Sequence, residues 1–123
     1  MNPAELEPEV EACAADAALA KSERGRAAGR AVMAALDRGA LRVAGREPRA
    51  EPDVPSAWRV HAWVKRGILL YFQNESMTDL EAGPLRFRDK VPLKSDLAAA
   101  GVRVVPPGTV RYGAFLEPGV IVM

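Results

Sequence analysis

The last stretch of the chain, Arg103 to Met123, repeats in sixes. Val104, Val110, Leu116 and Val122 recur at that interval, and so do Gly113 with Gly119 and Ala114 with Val120. Six is the period of neither an amphipathic helix nor an alternating strand. It fits a parallel β-helix of hexapeptides, in which one apolar residue per hexad points inward and a small residue near Gly or Pro lets the chain turn a corner. Two short strands joined by Gly/Pro turns satisfy the same period, which does not separate the two. Residues 104–121 hold three hexads and Val122 opens a fourth. A solenoid needs about three stacked repeats for stability and closes with a polar capping repeat. Residues 103–123 are therefore expected to be the start of a truncated hexapeptide β-helix, its first coil.

A chain of 123 residues suits one domain by length. Its apolar content of 49% includes 22 alanines. Bulky core formers are concentrated in Trp58–Phe72 and the tail, so the Ala-rich first third is marginal by itself. A net charge of +1, with both signs interspersed, argues against nucleic acid as a partner. The single cysteine, Cys13, excludes an internal disulfide and suits a reducing compartment. Its alanine neighbours offer nothing to activate a thiolate. The N-terminus is acidic and lacks the apolar run of a signal peptide, and Ile68–Phe72 is too short to span a bilayer. The expected protein is soluble and cytoplasmic, with no membrane association.

In chain order, Pro3 to about Ala20 reads as a helix with glutamates toward its N-terminus, which Pro8 restarts a turn later. Arg26–Arg38 reads as a second helix, with Ala28, Val32, Ala35 and Leu36 on one stripe and Gly39 placed for a left-handed cap. Leu41–Ala44 alternates like a half-buried strand. Residues 45–57 form a proline-rich loop, with Pro48, Pro52 and Pro55 excluding a regular element. His61 to about Gln73 reads as a buried helix, with Val60, Val64, Ile68 and Tyr71 on its inner face and Trp58 and Trp63 as core or interface anchors. Asn74–Pro84 is a polar loop and Leu85–Leu93 an extended segment. Ser95 caps a short helix, Asp96–Ala100, closed by Gly101. The whole is α+β: a mainly helical N-terminal domain with short strands, residues 1–102, leading into the coil.

Catalytic constellations are missing from this sequence. There is no Ser/His/Asp or Cys/His set, no phosphate-cradling glycine loop and no zinc-ligand cluster. The lone His61 receives no role. Arg103 and Arg111 are the candidates for binding an anion, because a guanidinium fork matches a carboxylate and two together suit a dicarboxylate. Solvated surface arginines are the bland alternative.

Several segments resemble tetrahydrodipicolinate N-succinyltransferase. They are Ala35-Leu36-Asp37-Arg38-Gly39-Ala40-Leu41-Arg42-Val43-Ala44, Trp58 to Arg66, Ile68 to Phe72, and Phe87 to Lys94. The most specific is Val102-Arg103-Val104-Val105-Pro106-Pro107 running into Val110-Arg111-Tyr112-Gly113-Ala114-Phe115. Order and spacing hold from about residue 32 onward, while the first 30 residues carry no diagnostic motif. The resemblance implies an acyltransferase of lysine and diaminopimelate biosynthesis. Such enzymes move succinyl from succinyl-CoA to 2-amino-6-oxopimelate. It further implies a homotrimer with a left-handed β-helix and a substrate-binding arginine, matched by Arg103. The family's catalytic acidic groups and coenzyme A groove lie on later coils, so these 123 residues alone are expected to be inactive and to bind no cofactor. A free-standing, non-catalytic module that pairs with a full-length β-helix subunit is the alternative.

Overall fold

A computed structural model describes residues 2–49 and 51–123. Met1 and Ala50, the latter within the expected proline-rich loop, lie outside the described residues. Helix α1 (Pro3–Ala15) starts on a capping box. Asn2 Oδ1 accepts from the N–H groups of Ala4 and Glu5 at 2.8 and 3.2 Å, and the Glu5 carboxylate accepts from the Asn2 N–H at 2.9 Å. The helix runs through Pro8 without restarting there. The break comes instead at Asp16, whose backbone is extended. Its carboxylate takes the N–H groups of Ala18 and Leu19, opening the short α2 (Ala17–Ala20). An aspartate side chain competes with the helix ladder for backbone donors, and here it divides the expected single helix.

Helix α3 (Glu23–Asp37) begins three residues before the expected Arg26, because Ser22 Oγ accepts from the Gly25 N–H. Its buried stripe contains Ala28, Val32, Ala35 and Leu36 as expected. Gly39, at φ +75°, ends it. The Ala40 N–H reaches the Ala35 carbonyl at 2.9 Å and the Gly39 N–H reaches Leu36 at 3.0 Å, a Schellman closure.

The expected strand at Leu41–Ala44 is shifted to β1 (Ala44–Arg46). It pairs antiparallel with β2 (Trp58–Val60), Ala44 opposite Val60 and Arg46 opposite Trp58. Regular structure therefore extends into the stretch assigned to loop. Leu41 is buried under the body, so the chain turns away before pairing. Trp58 and Val60 belong to this ribbon and are 65% and 67% exposed. Trp58 is not a core residue, and the Arg46 guanidinium lies 5.1 Å from its ring centroid.

Helix α4 (Ala62–Asn74) follows, with Trp63, Val64, Leu70 and Tyr71 buried. It crosses α3 at two glycines. A Cβ on Gly29 would stand 2.6 Å from the Tyr71 backbone nitrogen, and one on Gly67 would stand 2.6 Å from Val32 Cγ2. Helix α1 covers this pair, and Leu6, Val10, Cys13, Val32 and Val64 have no solvent exposure.

Residues 74–84, expected as a polar loop, contain strand β3 (Thr78–Ala82), paired antiparallel with β4 (Leu85–Asp89). Acidic residues disfavour strands on propensity, but here they face arginines directly across the ladder. Asp79 opposes Arg88, with an ion pair at 3.0 Å, and Glu81 opposes and pairs with Arg86. Leu80 and Phe87 oppose one another on the other face. Gly83, at φ +59°, makes the two-residue turn.

The expected helix at Asp96–Ala100 is a run of turns. Asp96 sits at φ +57°, outside the helical region, and the Ser95 hydroxyl donates to its carboxylate instead of capping backbone. Beyond it, β5 (Arg103–Val104) lies parallel to β6 (Ile121–Val122), Arg103 opposite Ile121 and Val104 opposite Val122, eighteen residues further on. The Arg103 N–H donates to Val120 at 3.0 Å and the Val105 N–H to Val122 at 2.8 Å. Val104, Val110, Leu116 and Val122 are all half-buried. Gly113 and Gly119 both take positive φ, +97° and +88°, the corner conformation that only glycine adopts cheaply.

Candidate functional site

The tail docks on the C-terminal ends of α3 and α4. The Lys94 N–H donates to the Val110 carbonyl at 2.8 Å and the Tyr112 N–H to Pro92 at 2.9 Å, an antiparallel clasp around Leu93 and Arg111. Asp37, the last residue of α3, accepts through one carboxylate oxygen from Lys94 Nζ at 2.7 Å and from the Gly113 N–H at 2.9 Å. Lys94 Nζ also reaches the Asp37 carbonyl at 3.2 Å. Lys90 plays the corresponding part at α4, donating to the Phe72 carbonyl at 2.6 Å. Both ammonium groups sit where helix C-termini leave carbonyls unpaired and where the macrodipole favours positive charge.

Between the tail and the helices lies an apolar crevice of about 270 Å³, lined by Met33, Ile68, Phe72, Arg111, Tyr112 and Gly113 among others. An adjoining one of about 330 Å³ includes Leu41, Arg42, Phe115 and Glu117. The Arg42 guanidinium lies 4.7 Å from the Phe115 ring centroid.

The two arginines singled out from sequence have different surroundings. Arg111 is committed: it donates to Asp89 at 2.5 Å and lies 5.7 Å from the Phe72 ring centroid. The Asp89 carboxyl is held below its usual range, first by the Lys90 backbone N–H and then by the Arg111 charge. Arg103 is exposed on β5 and, among the described residues, no side-chain hydrogen bond or ion pair engages it. Its guanidinium fork is free to take a carboxylate from solution.

Other titratable groups offer little acid–base chemistry. Burial pushes the Tyr71 and Tyr112 hydroxyls up, away from ionisation at neutral pH. Burial, and then the Glu9 charge, likewise raises the Cys13 thiol, consistent with an inert residue. His61 stands at the N-terminal end of α4 and makes no side-chain cap, though its backbone N–H donates to Val43 at 2.8 Å. Among the described residues no group of three or more His, Cys, Asp or Glu could hold a metal ion, and no helix is long and apolar enough to cross a membrane.

Sequence reasoning missed Asp37, Lys90 and Lys94. The local signal was slight: an aspartate two residues before a helix-ending glycine, and two lysines flanking Val91-Pro92-Leu93.

A family model described as the N-terminal part of tetrahydrodipicolinate N-succinyltransferase matches residues 5–73, that is, α1 through most of α4. Curated relatives carrying the name 2,3,4,5-tetrahydropyridine-2,6-dicarboxylate N-succinyltransferase include one from Paracidovorax citrulli, 45% identical over 98 residues. One from Delftia acidovorans is 42% identical over 98 residues, and in both cases the match takes in 75% of this chain and 34% of the relative. One from Burkholderia mallei is 43% identical over 95 residues, 72% of this chain and 32% of the relative. The chain thus spans about a third of the length of these relatives. With more than half of its residues matched by the family model, the chain belongs to the tetrahydrodipicolinate N-succinyltransferase N-terminal family.

Proposed function

We propose that the chain is the N-terminal portion of a tetrahydrodipicolinate N-succinyltransferase, which transfers succinyl from succinyl-CoA to the amino group of 2-amino-6-oxopimelate in diaminopimelate and lysine biosynthesis. The observation that carries this reading is the family match across residues 5–73. Residues 1–102 form its N-terminal domain and residues 103–123 the first coil of a left-handed parallel β-helix. Support for the coil comes from the eighteen-residue offset between β5 and β6, which is three hexads, and from the glycine corners at 113 and 119. The working form is a cytoplasmic homotrimer, and Arg103 binds a substrate carboxylate.

The acyl donor, in this reading, binds in the two thirds of the relatives that these 123 residues do not span. The isolated chain therefore releases no CoA above background when given both substrates, and thiol detection provides the assay. Sustained, enzyme-dependent release would defeat that part of the proposal. In a catalytically competent polypeptide carrying this N-terminal domain, Arg103→Ala raises KM for the amino acceptor roughly 10- to 100-fold, the scale of a lost hydrogen bond to a charged group. KM for succinyl-CoA stays put. An unchanged acceptor KM removes Arg103 from the site.

One observation favours a second reading, a non-catalytic module seated on a full-length β-helix subunit. Ile121 and Met123, at the β6 edge, are 54% and 93% exposed, an edge open to pairing with another chain. The intact mass of the protein from its native source separates the two. A value well above 13.2 kDa supports the enzyme, and 13.2 kDa supports the module.

A further inference from the structure

We propose that Asp37 and Lys94 are positioning residues: together they form a latch that registers the tail, and Arg103 with it, on the helical body. The inference rests on the reading of Arg103 as a substrate contact, but the latch has its own geometry.

Against α3 the tail makes close apolar contacts. Gly39 lies under the Phe115 ring, so close that a Cβ would stand 2.8 Å from it, and a Cβ on Gly113 would stand 2.8 Å from Met33 Cε. Such contacts are non-directional, so they hold the tail against the body without fixing where it sits along α3. At α3 the directional element is one carboxylate oxygen of Asp37, shared between the Gly113 N–H on the tail and the Lys94 ammonium on the linker. The Lys94 side chain is only 8% exposed, and it reaches back to the carbonyl of the residue whose carboxylate it pairs with. The Asp37 side chain is 26% exposed, so the pair is partly buried, and such a pair is weak evidence for stability because desolvation offsets the attraction. Setting register is its best-attested use. Each of the three groups comes from a different segment: Asp37 from the end of α3, Lys94 from the linker after β4, Gly113 from a positive-φ corner of the tail. A slide of the tail by one residue takes the Gly113 N–H away from the carboxylate that Lys94 holds in place.

Among the described residues, no other hydrogen bond or ion pair joins α3 to the tail corner. The Arg111–Asp89 pair ties the tail to the hairpin strand β4. Lys90 ties the linker to α4. The latch is therefore the polar tie between the tail corner and α3, and through the closed β5–β6 loop it sets where the Arg103 strand stands.

The test is amide hydrogen exchange and backbone NMR on the 123-residue chain, comparing Asp37→Ala and Lys94→Met with the parent. In Asp37→Ala the amides of Lys94, Tyr112 and Gly113 exchange roughly 10- to 100-fold faster, as expected for losing a charge-assisted network. The Arg103 amide resonance moves, while the amides of Val32, Val64 and Leu70 keep their protection. Lys94→Met keeps most of the buried stem and removes only the ammonium, so it shows the same pattern with smaller amplitude and serves if the aspartate variant does not fold. Unchanged exchange at the three tail and linker amides overturns the latch. So does equal acceleration in tail and helices, which would make the pair a part of global stability only. Failure of the Arg103→Ala kinetic test described above removes the site reading and leaves the exchange result standing, so the two failures are distinguishable.

Discussion

Helix α1 packs across α3 and α4, and at their shared centre Leu6, Val10, Cys13, Val32 and Val64 are closed off from water. In the tail the four residues of the six-residue period, Val104, Val110, Leu116 and Val122, are each only half-buried. The side chains are of the same kind, and the difference is in the layers around them. A helical stripe becomes core when a second and third helix cover it, and the body supplies both. The tail's regular structure is only the two-residue pair β5–β6, which gives these four residues less cover. The body therefore closes its apolar residues off from water, and the tail leaves its own partly open.

A direct way to break the comparison is to separate α3 from α4. Gly29→Ala places a Cβ against Tyr71 backbone, which does not yield as a flexible side chain would. The expected loss is about 3 kcal/mol, read as a lower midpoint in urea denaturation. A wild-type midpoint would mean that the helices cross more loosely than described. Next, one substitution made in both regions sharpens the contrast. Leu6→Ala, at a site with no exposure, is expected to cost about 2–5 kcal/mol. Leu116→Ala, half-buried in the tail, is expected to cost about 1 kcal/mol or less, since less area leaves water. Equal losses in chemical denaturation would show the tail to be as well packed as the body.

Acid provides a third handle. The Glu9 carboxyl is held below its ordinary value of 4.5 by hydrogen bonds from Arg24, and Glu75 likewise by Arg30. A carboxyl whose folded pKa is depressed contributes stability that is complete above its unfolded value and disappears as pH falls through the folded one. Both pairs join elements of the body: α1 to α3, and the residue after α4 to α3. The melting temperature is thus expected to fall below about pH 4.5, and Glu9→Gln should lower it at neutral pH and flatten that acid limb. An acid limb as steep in the variant as in the parent would assign the titration elsewhere. The smallest effect belongs to the exposed hairpin pair Glu81–Arg86. Removing either partner should change stability by no more than about 0.5 kcal/mol, as judged by thermal melts; a larger loss would mean that the hairpin is supported by the pair and packs on something.

Much of the body was legible from residue pattern. The stripe of α3, the left-handed cap at Gly39 and the helix over His61 to Gln73 follow from spacing and from glycine's backbone freedom, and both signals are local. Half of the hairpin was legible, since β4 falls in the expected extended segment 85–93, but Asp79 and Glu81 look like loop residues until that strand puts each acid across from a base. The shift of β1 was hidden for a similar reason, since its partner, β2, lies beyond a proline-rich stretch. Even the family match ran against the local signal: it begins at residue 5, within a stretch that carries no conspicuous motif. Both candidate arginines could be singled out from sequence, but that Asp89 engages Arg111, while among the described residues no side chain pairs with Arg103, could not.

By itself the sequence determined periods and corners: where apolar residues repeat every turn, where they repeat every six, and where glycine must allow a positive φ. These are properties of neighbouring residues, set by backbone sterics and by which face of an element repels water. Only the tertiary structure decided partners. Asp37 meets Lys94 57 residues later and Gly113 76 residues later, because the packing of α3, the linker and the tail brings the three to one point. No local preference encodes a hydrogen bond whose two ends are positioned by different elements.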